Sequence, residues 1–508
     1  MPENSQPTTT RRTPASRIGW LVLWLLVWAS LTVLIASVGI LVFYGRITPD
    51  QLILNLVAVR TDAGGGALFA TLAVIGIVVV PIAATLLLAL ARGRRLKKHR
   101  TAGTAPKART AKRVLGLVLT VVLMASAAGS FVHTLKIRDY VASGDNSADI
   151  GNYYTVPEVT GTSQKRNLVV IYLESGEATL GDDTVFEKDM LAPAKDATSD
   201  WIGIEDYQQY TGGGWTMAGI VSTQCGVPLK GKISAPNSEI VHELSSGMDS
   251  YLPGLTCLGD VLADQGYKNV FMGGSNASFA AKNQFLADHG YSEEYDLTTW
   301  QKEDKDPSHF RKDWGLSDQQ LMAHAKKQVD QLHANAEKTG QPFNLSMLTL
   351  DTHEPTHVYD YCDVNTEEPM ASVYSCSMEQ VADFVGYMKS KGYLKDTSVV
   401  MMGDHLKQLG AIGAFSKELK ASGHRTIFNR VWIPGQAPVL REGADQLSMY
   451  ATLLQAAGLE FKGSEAGLGV SAFTSDFPAG SALSLTPEKY KQLLESRSDE
   501  FYQQAWGQ

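Results

Sequence analysis

The sequence predicts two unlike parts: an α-helical membrane region of three transmembrane helices, then an α/β domain whose mostly parallel sheet is covered by helices on both faces. Three observations carry that prediction. Long uncharged apolar runs are confined to the first quarter of the chain. In the remainder, short β-branched runs alternate with helical patterns, the signature of a parallel sheet. Acidic, histidine and hydroxyl side chains stand directly after several of those runs, where open parallel sheets bind ligands.

The apolar runs are residues 18–45, 63–91 and 114–135, each long enough to cross a hydrocarbon core as a helix, which takes about 20 residues. Arg11, Arg12 and Arg17 precede the first run. The second connection carries ten basic residues between Arg92 and Arg113, whereas the first has only Arg46 and Arg60 against Asp50 and Asp62. By the positive-inside rule the N-terminus and the second connection face the cytoplasm, so that everything after about Lys136 lies outside a cytoplasmic membrane. The first run is too long for a signal-peptide core, and Gly45-Arg46-Ile47-Thr48 offers no small-residue cleavage site. The basic connection reads as a topology determinant that can also touch anionic headgroups. The expected organisation is a membrane anchor over 1–136, a linker or strap over 137–165, and a catalytic domain over 166–508.

Residues 1–136 hold 16 Lys/Arg and 3 Asp/Glu of the chain's 45 and 53, which leaves residues 137–508 with 29 basic and 50 acidic groups and a formal charge of −21. Nucleic acid is excluded as a partner by bulk electrostatics, and an anionic substrate would need a local cation such as a metal and a few placed basic side chains. Cys225, Cys257, Cys362 and Cys376 all fall in this part, and an even number outside the cytoplasm points to disulfides. Of three possible pairings, Cys225–Cys257 and Cys362–Cys376 close the shortest loops. No CxxC pair supports a zinc site.

Asn167–Leu173 is a continuous apolar run of the buried parallel-strand kind, ending at Glu174-Ser175-Gly176. Comparable runs are 269–272, 343–350 and 398–402, with helical patterns at 316–338, 378–391 and 447–457. Thr486 as N-cap and Pro487 at the first position open a last helix through Glu495. The third strand run leads into Asp351-Thr352-His353 and the fourth into Gly403-Asp404-His405. Two carboxylates, a histidine and a threonine oxygen suit Mn²⁺, Mg²⁺ or Zn²⁺. The stretch Thr211-Gly212-Gly213-Gly214-Trp215-Thr216-Met217-Ala218-Gly219 brings one hydroxyl to the start of an apolar segment. Glycines allow close substrate approach, and a threonine opening a helix feels the positive end of the dipole, which favours an alkoxide and an incoming phosphate. Thr216 is therefore a candidate nucleophile, although a threonine here also serves as a plain N-cap. His353-Glu354-Pro355-Thr356-His357 spells HExxH, but a zinc protease needs both histidines on one helix face, and Pro355 after a strand run argues for a loop.

The chain resembles the lipoteichoic acid synthase and membrane phosphoglycerol transferase group of the alkaline phosphatase and sulfatase superfamily. The resemblance spans roughly Asn167 to Phe477. It rests on Leu173-Glu174-Ser175, Thr211 to Thr216, Ser222-Thr223-Gln224-Cys225-Gly226-Val227-Pro228-Leu229, Gly273-Gly274-Ser275-Asn276, Thr349 to His353, and Gly403-Asp404-His405, in the family's order. Cys225 within the third fragment is closer to transferases acting on periplasmic glucans than to teichoic acid polymerases. The resemblance implies a sulfatase-like extracytoplasmic domain, one divalent metal, manganese foremost, on Glu174, Thr216, Asp404 and His405, with Thr216 as nucleophile. His353 matches the family's substrate-binding histidine, and Lys282 and Asn276 join it as candidate substrate contacts. Where the polymerases have Trp-Asn-Arg this chain has Ala280-Ala281-Lys282, and a lysine supplies a point charge without an arginine's bidentate grip.

The implied activity is a two-step transfer of a glycerophosphoryl group from phosphatidylglycerol, through phosphothreonine, to an envelope glycan or glycolipid, releasing diacylglycerol. His353 and Lys282 are the candidate groups for steadying oxygens or moving protons. The competing readings are a phosphoethanolamine transferase, whose usual Thr-Thr-Pro segment is missing after the first strand, and a non-catalytic envelope sensor or scaffold. A true sulfatase needs Cys-x-Pro-x-Arg or its serine equivalent, which Thr216-Met217-Ala218-Gly219-Ile220 is not.

Overall fold

A computed structural model describes residues 14–57, 71, 73–101, 106–144, 147–162, 164–231 and 249–507. Arg11, Arg12, Arg60, Asp62, Asn146 and the first part of the 63–91 run lie outside the described residues. Three helices are long and apolar enough to cross a membrane, at Ile18–Phe43, Ile75–Arg94 and Val114–Thr134. The first stops short of Gly45, whose positive φ ends it. The second, as described, takes in Arg92 and Arg94 at its end. A short helix, Pro49–Val57, follows the first and buries Leu54 in the core of the following domain.

The α/β domain is built on six strands: β2 (Asn167–Leu173), β3 (Lys268–Gly273), β4 (Glu293–Tyr295), β5 (Phe343–Leu348), β6 (Thr397–Gly403) and β7 (Asn429–Trp432), in the order β4-β3-β5-β2-β6-β7. All neighbours are parallel except β6 and β7. Every residue of β2, β5 and β6 is buried, as a sheet covered on both faces requires. Alternation along β2 divides the core. Leu168, Val170 and Tyr172 face the Thr216–Cys225 and Met449–Ala456 helices, and Val169, Ile171 and Leu173 face the Asp318–Thr339 and Pro369–Lys391 helices.

The described residues of the 137–165 stretch carry a helix at Ile137–Ser143 and a strand, β1 (Val159–Thr162), that pairs antiparallel with β8 (Leu459–Phe461). At the other end of the chain, Thr486 caps the Pro487–Glu495 helix by accepting from Lys489 N–H. Both disulfides join the shortest-loop partners, Cys225 to Cys257 and Cys362 to Cys376.

Candidate active site

β2 lies between β5 and β6; the chain leaves β2 toward β3 on one side and leaves β6 toward β7 on the other, so the carboxyl ends of these neighbours open onto one crevice. Leu173 pairs with Gly403, and the next residue of each strand, Glu174 and Asp404, therefore leaves the sheet side by side. The approach is close because Gly176 and Gly403 face each other: a Cβ on Gly176 would sit 2.8 Å from Gly403 Cα.

Glu174, Asp404 and His405 form a buried cluster whose ligand atoms lie within 4.8 Å of one another. His405 Nε2 is 3.6 Å from both Glu174 Oε1 and Asp404 Oδ2. Its Nδ1 lies 2.7 Å from Leu406 O, which places a proton on Nδ1 and leaves Nε2 as the ring atom facing the carboxylates. Asp404 Oδ1 accepts from the Ser175 and His405 amides at 2.9 and 2.8 Å, while Oδ2 is buried without a partner among the described residues. An orphaned carboxylate oxygen beside a second carboxylate and an imidazole nitrogen fits a divalent cation, and the mixed O/N set suits manganese, magnesium or zinc.

Electrostatics agree with that fit. Burial and then the Glu174 charge push the Asp404 carboxyl up to about 7. Burial works against Glu174 too, but His353, His405, the Ser175 hydroxyl and Lys407 outweigh it and hold this carboxyl below its ordinary value. Burial likewise opposes a charged His405, yet Asp404 and Glu174 raise it.

Thr216 opens the Thr216–Cys225 helix as its first helical residue. Trp215 occupies the cap position with extended backbone and no capping side-chain bond, so the plain N-cap role does not apply. The Thr216 hydroxyl donates to Glu174 Oε2 at 3.3 Å. Gly219, one turn on, lets the helix settle on the Asp404 carbonyl oxygen, which any Cβ there would strike. Gln446 Nε2 donates to that same oxygen at 2.8 Å.

His353 follows β5 in a non-helical segment, and the HExxH spelling has no helix beneath it. Its Nδ1 lies 2.6 Å from Glu354 O, which leaves Nε2 as an acceptor, and burial keeps the ring below its ordinary pKa. Two residues absent from the sequence-level reading hold it there. Arg311, buried, donates to the carbonyls of Asp351, His353 and Pro355 at 3.3, 3.0 and 2.6 Å. Trp314 lies on the His353 ring at 4.0 Å and is itself met edge-on by Phe279. Neither residue has a periodic or motif signal; only the Arg-x-x-Trp spacing in a loop could have drawn attention.

The structure brings Glu174, Thr216, Asp404 and His405 together, with His353 within electrostatic reach of Glu174. Lys282 and Asn276 are engaged locally. Lys282 is buried, donates to Ser275 Oγ at 3.3 Å and stands over the Phe271 ring, with burial lowering its ammonium pKa. Asn276 Oδ1 accepts from Ser278 N–H at 2.9 Å. A second grouping, Cys257, Asp260 and His289, has its sulfur in a disulfide and both ring nitrogens bonded, to Asp260 and Tyr251.

Comparison with known proteins returns the same crevice-bearing region. Phosphoglycerol transferase I of Escherichia coli O6:K15:H31 (strain 536 / UPEC) is 34% identical over 273 residues, 52% of this chain and 34% of the relative; the protein of that name from Shigella flexneri gives the same figures. The aligned part therefore spans about a third of the length of these relatives. Among solved structures, the lipoteichoic acid synthase LtaP from Listeria monocytogenes is 13% identical, with 66% of this chain and 81% of that one covered at a TM-score of 0.49. A protein of the alkaline phosphatase superfamily from Vibrio parahaemolyticus is 19% identical, with 68% and 79% covered at a TM-score of 0.48. The profile described as Sulfatase matches residues 167–459, more than half of the chain and all of the crevice, and the protein belongs to the sulfatase family.

Proposed function

We propose that the protein transfers a glycerophosphoryl group from phosphatidylglycerol to a cell-envelope glycan or glycolipid on the extracytoplasmic face of the cytoplasmic membrane. The observation that carries the reading is Thr216: a hydroxyl at a helix start, 3.3 Å from Glu174, whose own cluster with Asp404 and His405 includes a buried Asp404 oxygen with no hydrogen-bond partner among the described residues. The named activity of the 34%-identical relatives supplies the transferred group.

Glu174, Thr216, Asp404 and His405 are the residues that would hold a divalent ion, manganese foremost, whose charge supplies Lewis acidity at the phosphoryl oxygens. In the first step Thr216 Oγ bonds to phosphorus, the bond to the diacylglycerol oxygen breaks, and the threonine proton ends on diacylglycerol. In the second, an acceptor hydroxyl bonds to phosphorus, Thr216 leaves and recovers a proton. His353, whose ring burial keeps below its ordinary pKa and whose Nδ1 faces Glu354 O, would carry that proton on Nε2. Lys282, buried over the Phe271 ring, would lend positive charge without a direct phosphate grip.

The test is release of diacylglycerol from fluorescent phosphatidylglycerol by the full chain with Mn²⁺, with fluorescent phosphatidylethanolamine in parallel. Thr216→Ala is expected to lose at least about a thousand-fold in rate. Equal release by wild type and variant would remove Thr216 as nucleophile, and preference for the ethanolamine lipid would replace the donor.

A further inference from the structure

The membrane anchor is built into the catalytic domain. The end of the first membrane helix lies under the loop that follows His405: a Cβ on Gly410 would meet the Phe43 and Val42 carbonyl oxygens at 2.5 and 2.6 Å, and Ile412 N–H donates to Val42 O at 3.4 Å. Ile47 N–H donates to Thr134 O at 3.1 Å, tying the ends of the first and third membrane helices together. The Pro49–Val57 helix packs on Phe279–Ala281, and its Asp50 accepts from Gly231 N–H at 2.9 Å.

Between these parts lies a cavity of about 310 Å³, within the range of ligand sites. The anchor contributes Arg46 and Lys136 to its walls; the catalytic domain contributes Gly212 and Gly214, just before Thr216, and Lys407 and Arg425. Lys407 and Arg425 are matched by Glu354 and Glu177. Arg46 has one distant carboxylate, Asp139 at 3.7 Å, and Lys136 has no salt-bridge partner among the described residues. Burial and the neighbouring Arg46 hold the Lys136 ammonium below its ordinary pKa, against the smaller opposing pulls of Asp139 and Glu495. The cavity thus carries surplus positive charge at the level where membrane helices end. Ile412, two-thirds exposed, stands beside it as an apolar foot on the same boundary.

We propose that this cavity captures the phosphodiester headgroup of an anionic membrane phospholipid, with Arg46 and Lys136 as its cationic contacts, so that the anchor forms part of the donor site. The proposal rests on the transferase reading only for what becomes of the lipid afterwards. A lipid phosphate and a free phosphate share the chemistry, and location favours the lipid: two of the cations belong to membrane-helix ends.

The experiment uses the full chain carrying Thr216→Ala in phosphatidylcholine nanodiscs, titrated with phosphatidylglycerol, reading bound lipid by native mass spectrometry. The double variant Arg46→Gln/Lys136→Gln should require about ten- to thirty-fold more phosphatidylglycerol for half-occupancy, from about 1 kcal/mol per cation near the surface. Arg46→Lys, which keeps the charge, should bind within about threefold of the parent; should the double variant lose its thermal transition, Lys136→Gln alone is compared with Arg46→Lys. Unchanged binding in the charge-removing variants overturns the proposal, as does equal displacement of the lipid by millimolar glycerol 3-phosphate, which would make the cavity a soluble-phosphate site. Charge-dependent lipid binding without diacylglycerol release by the Thr216 protein would leave the proposal standing and sink the transferase reading; release indifferent to Arg46 and Lys136 would do the reverse.

Discussion

Asp404 is where metal binding and acidity meet. With its carboxyl raised to about 7, first by burial and then by Glu174, the metal-free protein holds a proton that the unfolded chain, near 3.8, would release. A folded-state value above the unfolded one gives stability that is present below pH 3.8 and lost as pH rises through 7. A cation relieves that loss. Mn²⁺ should therefore raise the thermal midpoint more at pH 8 than at pH 5.5, and its affinity by calorimetry should fall about tenfold per pH unit below 7. Equal midpoint shifts at the two pH values would count against the cluster as the metal site. A second buried pair behaves differently. Asp318 accepts from the Leu350 and Asp351 amides and from Ser377, while Asp351 takes the Tyr361 hydroxyl and the Asp318 amide on Oδ2 and has no hydrogen-bond partner for Oδ1 among the described residues. Burial and the Asp318 charge raise Asp351 well above a carboxylate's usual range, which disfavours its charged form. Asp351→Asn should cost less than about 1 kcal/mol at pH 7 and gain on wild type as pH rises; Asp318→Ala, which strips three donors, should cost about 3 kcal/mol or more. Thermal unfolding of the full chain at pH 6 and 9 decides both. At this scale the sequence was informative wherever a residue ends a strand run, as Glu174 and Asp404 do. Arg311 and Trp314 escaped it because their roles exist only through contacts with a segment about forty residues away.

The helix carrying Thr216 is held at both ends. Its first turn lies on the Asp404 carbonyl and its last residue, Cys225, is bonded to Cys257 at the cap of the Leu258–Asp264 helix. Replacing both cysteines by serine should cost about 3–4 kcal/mol, the chain-entropy value for a 32-residue separation, and reductant should lower the thermal midpoint of wild type toward that of the variant. No change in midpoint would show the bond to be dispensable for the helix. The fully buried strands were legible as continuous apolar runs, β2 to the residue. β4, β7 and the β1–β8 pair were not, for a physical reason: each is a short edge of three or four residues, and β7 alternates buried positions with the half-buried Arg430 and Trp432. Such strands form because a neighbour offers unpaired backbone, which no local pattern encodes.

For the whole molecule, charge asymmetry and the placement of apolar runs were plain in composition: a basic anchor and a catalytic part of −21. Their union was not. Expecting 137–165 to divide them as a linker or strap gave no hint that Leu54 would enter the catalytic core or that Gly410 would press against Val42 and Phe43. That last contact sets the loop after His405 against the end of an apolar helix long enough to cross a membrane. On the proposed chemistry the donor arrives sideways, by diffusion in two dimensions, and its supply scales with its share of the bilayer, indifferent to the volume outside. The acceptor arrives from above and obeys bulk concentration. Two substrates of one reaction thus answer to different dimensions of the cell, and a change in lipid composition alone can set the pace of the modification.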